Sequence, residues 1–198
     1  MMKSLKDFPS VIFAKLSELR RVEPTPNNAR LLLDVIDSSR QSVTDWQEMF
    51  VNITTREGMY DLIKKRDDQW NNQRGFCYGI YAGGILVGRV RAFNFDLSLQ
   101  TAEIGYWLAD EFVGHGVMTD AVNALVDVLF DYGFERVELE IDAGNTRSEN
   151  VARRCGFVLE GRLRRKSWAR AVGGVCDLLI YSKLKMENEK NDQTTAQE

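Results

Sequence analysis

The sequence predicts one α/β (equally α+β) domain built on a mixed β-sheet, and three observations lead there. Its 198 residues suit one domain that can bury a real core. The spacing of apolar residues switches repeatedly between every second position and every third or fourth, so strands and helices interleave. All three prolines, Pro9, Pro24 and Pro26, precede residue 27, which leaves the rest of the chain free to form long elements.

In chain order, Val11 to Val22 mixes apolar and basic residues and reads as a first strand. Pro24-Thr25-Pro26-Asn27 breaks it and offers a helix start. Leu31, Leu32, Val35 and Ile36 then recur at helical spacing, and Met59, Leu62, Ile63 and Trp70 mark a second helix over about Glu57 to Asn71. Two apolar runs, Phe76 to Tyr81 and Ile85 to Phe93, flank Gly83-Gly84 and read as a hairpin. Ala102 to Leu108 is a strand, with Ala102, Ile104, Tyr106 and Leu108 on one face and Glu103, Gly105 and Trp107 on the other. A long core-facing helix follows from Val117 to Phe134. Val137, Leu139 and Ile141 then alternate with Glu138, Glu140 and Asp142 as a strand, and Asn145 to Arg154 is a short helix stopped by Gly156. Phe157 to Leu163 and Val175 to Leu184 close the sheet. Residues 1–10 read as an extension, 11–185 as the domain, and 186–198 as a polar tail expected to be disordered.

Composition narrows the function. A net charge of -3 and a pI near 5.4 leave no basic excess for a nucleic-acid backbone. Cys77, Cys155 and Cys176 are odd in number and contain no CxxC, which argues for reduced thiols and against a disulfide framework or structural zinc. His115 is the only histidine, so a His-based triad or a multi-His metal site is not expected. Residues 1–10 lack the apolar run of a signal peptide, and no stretch is long enough for a membrane span. A cytoplasmic location is the expectation.

The segment Val113-Gly114-His115-Gly116-Val117-Met118 joins the Ala102–Leu108 strand to the long helix. Two glycines permit a tight turn with amides aimed inward, and the helix start adds partial positive charge, so together they suit a pyrophosphate. Taken alone, the same fragment is equally an ordinary strand-to-helix turn. It is not a Walker loop, because no Gly-Lys-Ser/Thr follows, and it lacks the third glycine of the dinucleotide fingerprint.

Its neighbours decide more. Ala102-Glu103-Ile104-Gly105-Tyr106-Trp107-Leu108, the Gly-His-Gly-Val-Met-Thr turn, Asn145-Thr146-Arg147-Ser148 and Cys155-Gly156-Phe157-Val158-Leu159-Glu160-Gly161 together resemble the GCN5-related N-acetyltransferase (GNAT) superfamily. Within it the RimJ/RimL group, which acetylates ribosomal-protein N-termini, is most similar. The resemblance implies a seven-stranded, mostly antiparallel mixed sheet, about four helices, and a splayed parallel pair formed by Ala102–Leu108 and Val137–Asp142. It implies acetyl-CoA as co-substrate, with the pantetheine arm against the backbone of Trp107, Leu108 and Ala109. The pyrophosphate would lie on the amides of Val113, Gly114, His115, Gly116, Val117 and Met118, with Thr119 beside them. Asn145 matches the asparagine that contacts the arm, and Ser148 matches the serine proposed to reprotonate the leaving thiolate. Homodimers occur among such enzymes.

Three positions depart from the family pattern. Val113 stands where Gln or Arg is usual, so the cradle is left with backbone donors. Ala152 stands where many members have a tyrosine general acid. Ser167 falls at the position of the RimL-like glutamate base. An α-amine, with a pKa of about 7.7–8.0, needs less help to become neutral than a lysine or polyamine amine at about 10.4, so the missing carboxylate favours an N-terminal acceptor. Glu103 is the replacement base to expect, with a plain salt-bridge role as the other reading. Trp46, Tyr106 and Ser167 are candidate acceptor contacts. The cluster Arg162, Arg164, Arg165, Lys166 and Arg170 is either a solvated strand edge or a site for an acidic partner or the CoA 3′-phosphate. The alternatives are acetylation of a small amine, such as a polyamine or antibiotic, and a catalytically weak acyl-CoA-binding protein.

Overall fold

The computed structural model describes residues 2–186; the expectation of a disordered tail at 187–198 lies outside them. Among the described residues, eight strands form one sheet: β1 (Val11–Phe13), β2 (Glu18–Arg21), β3 (Gly75–Ala82), β4 (Ile85–Asp96), β5 (Thr101–Leu108), β6 (Arg136–Asp142), β7 (Val158–Ala169) and β8 (Gly174–Leu184). Five α-helices lie wholly among the described residues: α1 (Pro26–Ser38), α2 (Arg40–Trp46), α3 (Arg56–Asn71), α4 (Val117–Asp131) and α5 (Thr146–Arg154). The spatial strand order is β1-β2-β3-β4-β5-β6-β8-β7.

The eighth strand is a correction. Val11 to Val22 is not one strand but a hairpin, β1 pairing antiparallel with β2 from Val11↔Arg20 to Phe13↔Glu18. Asp120 on α4 draws the turn in: its carboxylate accepts from the amides of Lys15 (3.0 Å) and Leu16 (2.9 Å) and from Ser17 Oγ (3.0 Å). Composition alone could not show a turn closed by a residue a hundred positions away. Removing this acceptor by Asp120→Ala strips three hydrogen bonds, two of them exposed, and is expected to lower stability by about 1–3 kcal/mol in a urea unfolding experiment. Residues 1–10 are also less detached than expected, since Leu5 and Phe8 are buried and Phe8 stacks on Phe76 at 3.8 Å.

Alternation along β5 and β6 builds two cores, one per sheet face. Ala102, Ile104, Val137, Leu139 and Ile141 pack with Ala121, Val122, Leu125 and Leu129 of α4. Trp107, from the other face of β5, packs with Leu32 and Ile36 of α1, Phe50, and Met59 and Ile63 of α3. The intervening Glu103, Glu138 and Glu140 therefore share the α1–α3 face.

β5 and β6 form the parallel pair, and their ladder is short: Thr101↔Arg136, Ala102↔Val137 and Glu103↔Glu138. Beyond Glu103 each strand stays with its outer neighbour, β5 with β4 as far as Gly88↔Leu108 and β6 with β8 as far as Asp142↔Leu178. The sheet is thus split at its centre, and backbone groups of β5 turn toward the gap. Gly88 permits the close β4–β5 approach, since a Cβ there would lie 2.5 Å from the Trp107 carbonyl oxygen.

Candidate functional site

The split opens into a cleft of about 420 Å³. One wall is the end of β5, through Tyr106, Trp107 and Leu108; the others are the start of α4, the outer face of α5 and α2. The cleft thus touches both faces of the sheet, as only a gap between strands allows.

At one end lies the turn into α4. Gly114 (φ 89°) and Gly116 (φ 81°) both occupy the left-handed region that favours glycine. No side chain caps the helix at Gly116, and Asp120 N is the first amide to reach a carbonyl, Gly116 O at 3.0 Å. The amides of Val117, Met118 and Thr119 therefore point out of the helix end. Val117 to Thr119, Gly114 and Gly116 all line the cleft. This helix terminus is an anion site with its donors aimed into a cavity. Arg154 adds a cation, its Nε donating to Thr119 Oγ1 at 3.1 Å, and Arg147 adds another, paired with Asp110 at 2.7 Å. Asp110 is held below the usual carboxylate range by hydrogen bonds from Ser42 and Arg147. These links tie α2 and α5 across the cleft mouth.

At the inner end, Asn145 caps α5, its Oδ1 accepting from Ser148 N at 3.2 Å. Tyr106 extends into the same region, donating from its hydroxyl to the Ser148 carbonyl at 3.3 Å, and burial raises its pKa. Glu103 sits where β5 and β6 part, on the α1–α3 face. Burial pushes its carboxyl up to about 7, against the pull of Asn94 Nδ2 donating at 2.7 Å, and Glu140 adds to the rise. A carboxyl poised near 7 suits proton exchange at neutral pH.

The sequence matches the acetyltransferase (GNAT) domain family over residues 18–158. The chain is a GNAT acetyltransferase. It is 33% identical over 173 residues to YdaF of Bacillus subtilis (strain 168), provisionally named a ribosomal N-acetyltransferase, covering 83% of this chain and 90% of that protein. It is also 33% identical over 96 residues to the ribosomal-protein-serine acetyltransferase of Escherichia coli (strain K12), covering 47% of this chain and 54% of the relative. Among solved structures, the microcin C7 self-immunity acetyltransferase MccE, in complex with acetyl-CoA and AMP, superposes with a TM-score of 0.79 at 26% identity, covering 86% of this chain and 93% of that one. RimL, the ribosomal L7/L12 acetyltransferase in complex with coenzyme A, shares the fold with a TM-score of 0.82 at 20% identity, covering 88% and 97%.

Against this GNAT frame, the cleft brings together Trp46, Tyr106, Trp107, Leu108, Val113, Gly114, Gly116, Val117, Met118, Thr119, Asn145 and Ser148. Four other nominated residues lie elsewhere. His115 is exposed on the outside of the turn. Ala109 does not line the cleft, because its amide is taken by Val87 O at 2.8 Å and its carbonyl by Phe112 N at 3.0 Å. Ser167 lies on β7 opposite Cys176, away from the cleft. Glu103 is at the root of the gap and not among the residues of its wall. Val113 lines the cleft, but its amide donates to Asp110 O at 3.1 Å, so the cradle's free donors begin at Gly114. The basic run on β7 is also remote: Arg162 pairs with Asp177 at 2.6 Å. Arg147 and Arg154 beside the turn were missed, because α5 reads from sequence as a charged surface helix. So were Ser42, Val43 and Gln47, because nothing local in α2 signals that it closes a cleft.

Proposed function

We propose that this enzyme transfers an acetyl group from acetyl-CoA to the N-terminal α-amine of a protein, in the cytoplasm, with both substrates bound together. The observation that carries this reading is the uncapped α4 terminus opening into a cleft that runs to the β5–β6 gap. A pyrophosphate fits the Gly114–Thr119 cradle, and an extended arm fits alongside Tyr106 to Leu108. Acetyl-CoA, when bound, supplies the acetyl group as a reactive thioester.

The chain's own residues do the rest. Gly114, Gly116 and the first-turn amides of α4 bind phosphate oxygens. Asn145 fixes the start of α5 and so the position of Ser148. Glu103 accepts the proton from the acceptor amine, directly or through water. Ser148, half-buried at the cleft wall, donates a proton to the departing sulfur; Ala152, buried in the core, offers no alternative. Relatives named for ribosomal-protein acetylation support an α-amine acceptor.

The test is a panel of peptides and polyamines offered with acetyl-CoA, read as free thiol released. Turnover on peptides with free N-termini and none on N-blocked peptides supports the reading; turnover on polyamines alone ends it. Ser148→Ala is expected to lower kcat by about tenfold to a hundredfold, within the range of a lost general acid, while leaving the acetyl-CoA dissociation constant within twofold. An unchanged kcat removes Ser148 from the mechanism.

A further inference from the structure

Among the described residues, three buried side-chain nitrogens have no hydrogen-bond partner: Arg66 Nε, Arg89 Nε and Trp107 Nε1. All three are donors, and they lie together. Arg89 and Trp107 face each other across the β4–β5 ladder, so their side chains share the α1–α3 face of the sheet. Arg66 projects from α3 over that face, close enough to Arg89 and Arg91 for mutual repulsion.

Arg89 is only 5% exposed. Its contacts are soft ones, Met49 Sδ at 3.9 Å and the Phe50 ring at 5.0 Å. Arg91 lies 3.7 Å above the Phe93 ring, and burial, with repulsion from Arg66 and Arg89, brings its pKa down to about 9 against the attraction of Glu103. None of the three arginines forms an ion pair with a described carboxylate. Arg66 donates to Gln69 at 2.8 Å and Arg91 has Glu103 nearby, but Arg89 is a buried cation without a counter-charge, which is costly to a fold. A fold keeps such a cluster where a ligand repays it.

The position says which ligand. Trp107 both lines the cleft and offers one of the orphaned donors. Trp46 and Gln47 line the cleft and lead into the turn that covers Arg89 through Met49 and Phe50. Arg91 pairs in register with Gly105, two residues along β5 from Glu103. Gly105 brings no side chain of its own, and the Phe93 ring covers it, 3.3 Å from where a Cβ would stand, with Arg91 stacked on the ring. The proton acceptor and Arg91 thus lie side by side, roughly 5–8 Å apart at their Cβ atoms, with Arg89 two residues further along β4. That spacing fits an α-amine followed within one or two residues by a carboxylate.

We propose that Arg66, Arg89, Arg91 and Trp107 Nε1 form a carboxylate site that selects acceptor N-termini with an aspartate or glutamate in the first three residues. This rests on the acetyl-transfer reading for the placement of the amine, but the carboxylate site can be tested without turnover. The probes are two octapeptides with free N-termini, differing only in Asp or Asn at the second position, titrated into CoA-loaded protein by calorimetry. The Asp peptide is expected to bind about tenfold more tightly. Arg91→Gln should shrink that gap to under twofold with CoA affinity unchanged.

Arg89→Met removes a buried charge while keeping an apolar stem, so it should abolish the preference with no loss of melting temperature. Equal binding of the two peptides by the wild type overturns the proposal. So does a preference that survives both substitutions, or a fall in melting temperature with the preference intact, which marks the arginines as structural. Preferential binding of the Asp peptide without acetylation of either peptide upholds the carboxylate site and sinks the transfer reading. Acetylation of both peptides at equal kcat/KM does the reverse.

Discussion

Glu103→Gln is expected to lower kcat/KM for an α-amine acceptor by about a hundredfold, the low end of what a positioned general base contributes. The sign of the pH dependence follows from the environment. Burial disfavours the carboxylate, so Glu103 is held up to about 7, and only the ionised form can take a proton. Below that pH the protonation of the carboxylate should add a further fall of about tenfold per unit to the fall set by the amine itself, and the wild-type rate should level off only above the amine's pKa. The glutamine variant cannot titrate, so its profile should lose this limb and keep only that of the amine, near about 7.7–8.0. The measurement is kcat/KM from pH 5.5 to 9 for both proteins. Superimposable profiles would return Glu103 to a structural role, with Asn94 as its partner. A second variant sharpens the reading. Asn94→Ala removes the hydrogen bond that favours the ionised form, so the wild-type limb should move to higher pH without disappearing.

Local sequence made the anion cradle legible because its determinants are local. Gly114 and Gly116 are needed for positive φ within four residues of a helix start, and the same stretch reads the same way in the fold. The alternation over β5 was equally plain, since Ala102 and Ile104 feed one core and Trp107 the other. What sequence could not show depends on distant partners. The β1–β2 turn is closed by Asp120, and α2 closes the cleft through a Ser42–Asp110 bond of 2.7 Å. Ala109 was a natural candidate from its place after β5, but the amide it would have offered is spent on Val87. Ser167 failed for a related reason. β7 is the outer edge of the sheet, and register shifts between Leu159 and Gly161 and between Leu163 and Ser167 make position in sequence a poor guide to position in space. The unpaired arginines were the least visible of all. Arg89 and Arg91 sit in an alternating strand as any solvent-facing cations would, and only α1 to α3 turn that face into an interior.

Gly116→Ala should weaken CoA binding by about tenfold to a hundredfold, the loss of one or two charge-assisted hydrogen bonds at roughly 1.5–3 kcal/mol each. Space is not the reason, because a Cβ at Gly116 would meet only the flexible tip of Leu16, at 3.4 Å. Backbone is the reason. At φ 81° an alanine is strained by about 1–2 kcal/mol, and the turn can relieve that only by rotating the peptides that aim the first amides of α4 at the cleft. The substitution therefore acts on the phosphate end and not on the arm. CoA and acetylpantetheine, which lacks the nucleotide and pyrophosphate, separate the two by calorimetry. The variant should lose affinity for CoA while binding acetylpantetheine as the wild type does. Gly114→Ala, also at positive φ but one residue further from the helix, should show the same selectivity with a smaller loss. Equal losses for both ligands would mean that the whole cleft has shifted, and an unchanged CoA affinity would mean that the pyrophosphate rests elsewhere. Because Val113 supplies neither a polar side chain nor a free amide, Gly116 has no nearby substitute: the helix end is what must hold the charge.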